Sequence, residues 1–408
     1  MSFFKQTINT VPLHGQTVLV RADYNVPLES DGTIADDFRI RASLPTIKKL
    51  LKDGCKVVII SHLGRPEGHD KKLSLEPVAQ RLAEYLGEPV RFVSQTTGDR
   101  VRMAVKKAPK RSVIVLENLR FDPREEANDE GFAREIAKDS NARYFVQDGF
   151  GVVHRAHAST SAITQFLPSV AGLLLEREYT TITQAMKSPK HPLVAVMGGA
   201  KVADKIGVIK ELIDVADTII ITGAMANTFL AYKGFAMGKS KYDPDDSDIL
   251  DEIYADARAK VGADRVDEFI LLPTDLAVGK TLNEDEPRRI VTVNAVGKDD
   301  IALDIGDMTI ERIVSLVEKA KTVIWNGTLG YAELPNFAHA SARLALVLAT
   351  HPEITSIIGG GDTADFVLHW DARKGDSFSH VSTGGGASLE LMAGEKLPGI
   401  ESLLDARG

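Results

Sequence analysis

The chain has 408 residues, 44% hydrophobic and 26% charged, which is average globular composition and more length than one ordinary core needs. Its formal net charge of -8 disfavours nucleic acid, whose phosphates require a concentrated basic face. No apolar run approaches the ~18 residues of a membrane span, no apolar stretch follows Lys5 as a secretory leader requires, and the single cysteine, Cys55, excludes an internal disulfide, which is compatible with a reducing cytosol.

In chain order, apolar runs suited to buried strands recur at 17–21, 57–61, 113–116, 144–147, 193–197, 218–222, 269–272, 322–325 and 356–358. Amphipathic stretches lie between most of them. Segment 41–52 sets Leu44, Ile47, Leu50 and Leu51 at helical spacing and closes at Asp53-Gly54, so it is expected to be a helix. The alternation predicts parallel sheets covered by helices on both faces. No internal repeat and no low-complexity tract interrupts it.

The first half places charged groups where strands should end. Asp23 and Asn25 follow the run at 17–21. Arg39, in DDFRI (36–40), precedes the first helix. His62 and Arg65 lie on the turn after 57–61, and Arg120 and Arg155 occupy similar places further on. Ligands of open α/β sheets bind at the carboxyl ends of strands. Arginine there favours an anion, because its planar fork pairs two oxygens of a phosphate or carboxylate. Each arginine alone reads as solvated surface charge, but five strand-end segments of the same chemistry point to a small anionic molecule. Asp23 and Asn25 suit the hydroxyls of that molecule. His154 and His157 lack a third nearby ligand, so they fit hydrogen bonding or anion contact better than metal.

Segment 173–187 (LLLEREYTTITQAMK) predicts one helix, stopped by Pro189 and Pro192 because proline cannot continue it. About 170–220 residues lie on each side, a reasonable domain size. The helix is therefore expected to connect two domains, the alternative being an ordinary surface helix.

The second half repeats one pattern: apolar run, glycine turn, helix. It occurs at 194–205 with Gly198 and Gly199, at 355–364 with Gly359–361, and at 380–389 with Gly384–386. Such turns let a backbone approach a ligand and aim helix N–H groups at anions, so a nucleotide polyphosphate is expected. Lys201 and Lys205, four apart, are expected on one face of a helix, either solvated or flanking an anion. Asp362 stands where a helix N-cap is expected. The alternative is a divalent cation between it and phosphate, since Mg²⁺ binds through one or two carboxylates plus phosphate oxygens. Two commoner motifs fail. The segment 234–240 is one residue short of a Walker A loop and follows a helical stretch, and Gly359–361 lacks the acidic partner of a dinucleotide fingerprint.

These stretches coincide with one family. RADYNVP (21–27), DDFRI (36–40), SHLGRP (61–66), ENLRF (117–121), HRAHAS (154–159), GGAKVADKI (198–206), WNGTLGYAE (325–333), IIGGGDTA (357–364) and STGGGASLELMAGEKLPGI (382–400) resemble phosphoglycerate kinase over essentially the whole chain. The resemblance implies an α/β chain of two doubly wound domains with mainly parallel sheets, facing each other across a hinged cleft. Residues 1–174 would form a glycerate-binding domain, 175–192 the connecting helix and hinge, and 193–396 a nucleotide-binding domain, with the tail 397–408 packing back on the first. It implies reversible phosphoryl transfer from 1,3-bisphosphoglycerate to ADP, giving 3-phosphoglycerate and MgATP. Asp23, Tyr24, Asn25, Arg39, His62, Leu63, Gly64, Arg65, Arg120 and Arg155 would bind the glycerate ligand. Gly199, Lys201, Lys205, Gly223, Glu333, Gly360, Gly361, Asp362 and Thr363 would bind the nucleotide, with Glu333 on the ribose and Asp362 on Mg²⁺.

Arg39, Lys201, Gly361 and Gly385 would serve the transfer itself. The acceptor is a carboxylate, so no general base is needed, and alignment and charge neutralisation would do the work. A monomer follows from the same resemblance, while the net charge and the lack of a long apolar run argue against nucleic-acid and membrane partners and the single cysteine fits the cytoplasm. Gly149, Thr328, Tyr331, Ala332 and Asp307 depart from the usual family pattern without removing a charged group. A nicotinamide dehydrogenase and a non-catalytic phospho-ligand sensor are the competing readings.

Overall fold

A computed structural model describes residues 3–406. Met1, Ser2, Arg407 and Gly408, the outer ends of the expected first domain and of the returning tail, lie outside the described residues. The chain divides into two compact units, residues 1–180 with 396–408, and residues 181–395.

The first unit contains β1 (Thr17–Arg21), α1 (Phe38–Lys52), β2 (Lys56–Ile60), α2 (Glu76–Leu86), β3 (Val90–Val93), α3 (Asp99–Lys107), β4 (Val113–Leu116), α4 (Glu130–Asp139), β5 (Tyr144–Gln147) and β6 (Ser169–Ala171), and ends in the first part of α5 (Leu173–Lys187). The six strands pair in the order β3-β4-β2-β1-β5-β6, every pair parallel. Alternate residues of one strand serve opposite faces. Val18, Val20, Val57 and Ile59 join Ile40, Ile47 and Leu50 of α1 in one core. Leu19, Val58 and Ile60 join Val101 of α3 with Phe132 and Ile136 of α4 in the other. Burial on both faces is why these strands read as unbroken apolar runs. With all strands parallel, their carboxyl ends collect on one edge, and the direction of winding changes between β1 and β5. That is where a doubly wound sheet opens a crevice for a ligand.

The tail joins this unit. Gly399 N–H donates to Val153 O at 2.8 Å, and Leu404 N–H to Ser169 O at 2.9 Å. Lys5 Nζ donates to Glu401 O at 2.8 Å and Leu403 O at 3.0 Å.

The second unit holds β7 (Leu193–Met197), α6 (Ile206–Val215), β8 (Thr218–Ile221), α7 (Gly223–Tyr232), α8 (Ser247–Val261), α9 (Val266–Phe269) and β9 (Ile270–Leu271). It continues with β10 (Asp275–Gly279), β11 (Arg289–Thr292), β12 (Ile301–Ile305), α10 (Asp307–Val317), β13 (Thr322–Asn326), α11 (His339–Thr350), β14 (Thr355–Gly359), α12 (Gly361–Trp370), β15 (His380–Val381) and α13 (Gly386–Met392). A parallel sheet runs β15-β14-β13-β7-β8-β9. A separate antiparallel sheet, β11-β10-β12, was not expected from the sequence. Asp307, at the first position of α10, pairs with Arg288 at 2.8 Å.

The start of α5 is held by other elements. Gly172, just before it, has no side chain to cap it, and a Cβ there would lie 2.0 Å from Asp148 Oδ1. Leu174 N–H donates to that oxygen at 3.0 Å, and Leu173 N–H donates to Thr46 Oγ1 at 2.9 Å. These bonds satisfy helix donors that have no partner within the helix. Asp148 is fully buried, and burial lifts its pKa from 3.8 to about 7, against hydrogen bonds from Thr46, Leu174 and Leu175. In the folded chain it therefore keeps a proton that the unfolded chain has already released between about pH 4 and 7. Stability contributed by this group falls as pH rises through that window, by up to roughly 1.4 kcal/mol per pH unit. The isosteric D148N variant cannot ionise. Its melting temperature relative to the parent is expected to be more favourable at pH 8 than at pH 5. A relative melting temperature no better at pH 8 would show that Asp148 is already ionised in the fold.

Candidate active site

The first-unit candidates gather along one edge of the sheet. Asp23, Tyr24 and Asn25 follow β1, and His62, Leu63, Gly64 and Arg65 follow β2. Arg120 lies on a short turn (Leu119–Phe121) after β4, Arg155 on the loop after β5, and Arg39 in the first turn of α1. Contacts join them. Gly64 N–H donates to Asn25 Oδ1 at 2.7 Å, and Arg120 Nη1 donates to Gly64 O at 2.7 Å. Arg39 is ion-paired to the buried Asp23 carboxylate. Gly64 has φ 65, a conformation glycine adopts without strain. Tyr24 is placed differently from the expectation for a ligand contact. Its side chain is fully buried, with the hydroxyl 2.9 Å from Ser43 Oγ. Leu63 is buried as well and tied through its backbone to Asn118 at 3.2 and 2.7 Å, so both shape the edge from within.

The cationic groups are dense enough to disturb one another. Burial lowers the Arg120 pKa, and Arg155 and Arg65 lower it further while Glu126 and Glu125 oppose. Burial also holds His62 well below its ordinary value, reinforced by Arg21, Arg120 and Arg39. His62 is thus neutral at pH 7. Its Nδ1 lies 3.2 Å from Arg21 Nη2, and a guanidinium only donates. Nδ1 therefore accepts, which leaves Nε2–H as a donor. His157 is likewise lowered to about 4 by burial, Arg21 and Arg120. His154 accepts from Arg155 Nε at 3.2 Å, which fixes the adjoining arginine rather than a metal.

Arg21 was missed as a site element. It is 1% exposed and donates from Nε to Ser159 Oγ at 2.7 Å. Ser159 in turn donates to Glu125 Oε1 at 2.5 Å. This buried chain orients His62 from behind. Gly149 closes the same region: a Cβ there would come within 3.2 Å of the Ala22 carbonyl carbon and Asp23 N.

In the second unit the candidates surround the glycine turns. The expected helical pairing of Lys201 with Lys205 is corrected by the structure. Helix α6 begins only at Ile206, and residues 203–205 form a turn, closed by Lys205 N–H donating to Val202 O at 2.9 Å. Lys201 is exposed, whereas Lys205 is 9% exposed. The Lys205 ammonium donates to Gly198 O at 2.7 Å, Asn326 O at 2.9 Å and Asn326 Oδ1 at 2.7 Å. It thus ties the ends of β7 and β13 together. Burial lowers its pKa to about 8, opposed by Asp362 and Asp204.

Asp362 is corrected too. Gly360 (φ 89) is the N-cap of α12, and Asp362 is its second residue, exposed to solvent. A side chain at Gly360 would be strained at that φ. Gly361 is exposed with nothing near a hypothetical Cβ. Thr363 Oγ1 accepts from Gly327 N–H at 2.7 Å. The next turn offers Gly385 (φ 47) as N-cap of α13. Gly223 opens α7, where a Cβ would lie 2.8 Å from Gly199 N. A cavity of about 350 Å³ joins Gly199, Gly223, Glu333 and Asp362 to Leu276, Leu303 and Tyr331, a chamber lined by both apolar and polar side chains.

Among the described residues, no cluster of three or more histidine, cysteine or acidic side chains is poised for metal. Asp362, an exposed carboxylate on the first turn of α12, fits Mg²⁺ only in company with phosphate oxygens, the usual manner for this ion.

The chain can be set beside known proteins. A family model described as phosphoglycerate kinase matches residues 8–395. The phosphoglycerate kinase of Dictyoglomus turgidum is 46% identical over 393 residues, covering 96% of this chain and 96% of that protein. That of Chloroflexus aurantiacus is 46% identical over 408 residues, covering 98% and 99%. Solved structures of phosphoglycerate kinase from Coxiella burnetii (34% identical, TM-score 0.82) and Pyrococcus horikoshii OT3 (30% identical, TM-score 0.83) each match 98% of both chains. The chain belongs to the phosphoglycerate kinase family.

Proposed function

We propose that this chain transfers a phosphoryl group reversibly from 1,3-bisphosphoglycerate to ADP, yielding 3-phosphoglycerate and ATP. One observation carries the proposal: the anion-binding groups fall into two sets of different make-up, an arginine-rich sheet edge around His62 and a buried Lys205 beneath glycine turns. Arg65, Arg120 and Arg155, with His62, hold the phosphate and carboxylate of the glycerate ligand. Asp23 and Asn25 take its hydroxyl, and the Gly64 backbone shapes the floor. The nucleoside enters the chamber lined by Gly199, Gly223 and Tyr331, with Glu333 on the ribose. Its phosphates meet Lys201, Lys205, and the helix starts at Gly360, Gly361 and Thr363. The proposed binding and transfer groups all lie on this one chain, which suits a monomer, and the family supports a cytoplasmic location. The chain's net charge of -8 gives neither nucleic acid nor an anionic membrane a reason to bind.

The chemistry follows from these groups. In the ATP-consuming direction the nucleophile is a carboxylate, already ionised at neutral pH, so no side chain has to remove a proton. Catalysis rests on aligning donor and acceptor and on neutralising the equatorial oxygens of the moving group. Arg39, Lys201 and the backbone N–H groups at Gly361 and Gly385 supply that neutralisation. Mg²⁺ held by Asp362 and the nucleotide phosphates would withdraw further negative charge from the same oxygens. Because the two sets belong to different compact units, transfer requires a hinge closure that also expels competing water. A coupled assay with 3-phosphoglycerate and MgATP tests the proposal. Turnover that saturates in both substrates is expected, and no ATP consumption dependent on 3-phosphoglycerate would reject it.

A further inference from the structure

We infer that Thr46 and Asp148 form a joint through which the arginine-bearing helix α1 sets the position of the connecting helix α5, with Thr46 as a positioning residue for phosphoryl transfer. The inference rests on the kinase reading above.

One face of α1 carries three polar side chains. Arg39, Ser43 and Thr46 stand at i, i+4 and i+7 of α1, which places them on one side of the helix. Each meets a different part of the neighbouring edge. Arg39 pairs with Asp23 beyond β1. Ser43 Oγ meets the Tyr24 hydroxyl at 2.9 Å. Thr46, fully buried, accepts from Leu173 N–H at 2.9 Å. Asp148 in turn accepts from Leu174 N–H at 3.0 Å, and its own N–H donates to Arg21 O at 2.9 Å.

The first two N–H groups of α5 are therefore anchored by a side chain of α1 and by a side chain at the end of β5. Gly172 cannot supply a cap of its own. A helix transmits displacement along its axis as a stiff rod, and Arg39 and Thr46 are about 10 Å apart along that rod. When an anion draws Arg39 away from Asp23, α1 moves and the hydroxyl of Thr46 carries the motion to the start of α5. That helix continues from residue 173 past the boundary at 180 into the second unit.

The test compares T46V, which keeps the shape and loses the hydroxyl, with T46S, which keeps the hydroxyl. Amide hydrogen exchange at residues 173–175 is measured with and without 3-phosphoglycerate, together with kcat and the Kd of 3-phosphoglycerate alone. In the parent, the ligand is expected to alter exchange at these amides. In T46V that response disappears and kcat falls about tenfold, while the binary Kd stays within about twofold. T46S restores both kcat and the exchange response. An unresponsive start of α5 in the parent overturns the joint. So does a T46V enzyme whose kcat stays within about twofold of the parent. If T46V does not fold, D148A, which removes the acceptor of the Leu174 N–H, takes its place under the same two outcomes. The parent's own turnover reports on the kinase reading, whereas exchange at 173–175 reports on the joint, so the two fail separately.

Discussion

Replacing Arg39 by alanine lowers kcat by about 100- to 1000-fold while the enzyme still assembles with both substrates. That magnitude is typical of losing one donor aimed at charge that develops in the transition state. The geometry accounts for the split between binding and turnover. Arg39 is only partly exposed and, without ligand, is paired with Asp23, a buried carboxylate, so its guanidinium waits at the site until the ligand draws it forward. Ground-state binding has other cations, Arg65, Arg120 and Arg155, on the same edge. Alanine also leaves the Asp23 charge without its partner beside an anionic ligand, which adds repulsion to the lost attraction. Steady-state kinetics checks the prediction, with calorimetric binding of 3-phosphoglycerate in the presence of MgADP as the control. Normal kcat at saturation with a raised KM would make Arg39 a binding residue only.

Lys205→Met is expected to weaken nucleotide use more than any other change in the second unit, lowering kcat/KM for MgATP by about 100-fold or more. Methionine nearly matches the length of lysine and donates nothing. It removes the buried charge proposed to serve the phosphates and leaves Gly198 O and Asn326 Oδ1 without their donor, while Asn326 O keeps the Gly198 N–H at 2.9 Å. Unsatisfied buried acceptors cost about 1–3 kcal/mol each, so the melting temperature should fall as well. In the parent, the pKa near 8 means the cation is partly lost above that pH. Phosphates favour the protonated form, so MgADP affinity should drop above pH 8 with uptake of a proton, and K205M should show neither effect. Calorimetry in buffers of different ionisation enthalpy measures the uptake. A K205M protein binding MgADP as tightly as the parent at pH 7 would remove Lys205 from the site.

The parallel sheets were legible in the sequence because strands buried on both faces leave unbroken apolar runs; β1, β4, β5 and β7 carry the limits expected of them. The antiparallel sheet was not: β11 is mostly exposed and mixes arginine and threonine with its apolar residues, and the more buried β10 and β12 each carry an aspartate within the run. β3, half-exposed at the sheet edge, escaped for the same reason. In the site, glycine turns and strand-end arginines announced themselves by residue type. What residue type does not reveal is direction. Arg21 ends its strand as the pattern predicts, yet its guanidinium turns inward to Ser159 and His62. Spacing predicts Lys205 on a helix, yet it closes a turn and spans two strand ends. In both cases the partners lie more than 40 residues away, at Ser159 and Asn326, beyond the reach of local periodicity. An arginine ending the otherwise apolar run VLVR is the one local sign that Arg21 belongs inside.

The central claim is that the arginine edge and the Lys205 turns act on one phosphoryl group and must come together to do so. Small-angle scattering of the protein alone, with 3-phosphoglycerate, with MgADP, and with both measures this most directly. A smaller radius of gyration with both ligands than with either alone is the predicted result; identical dimensions in all four samples would contradict it.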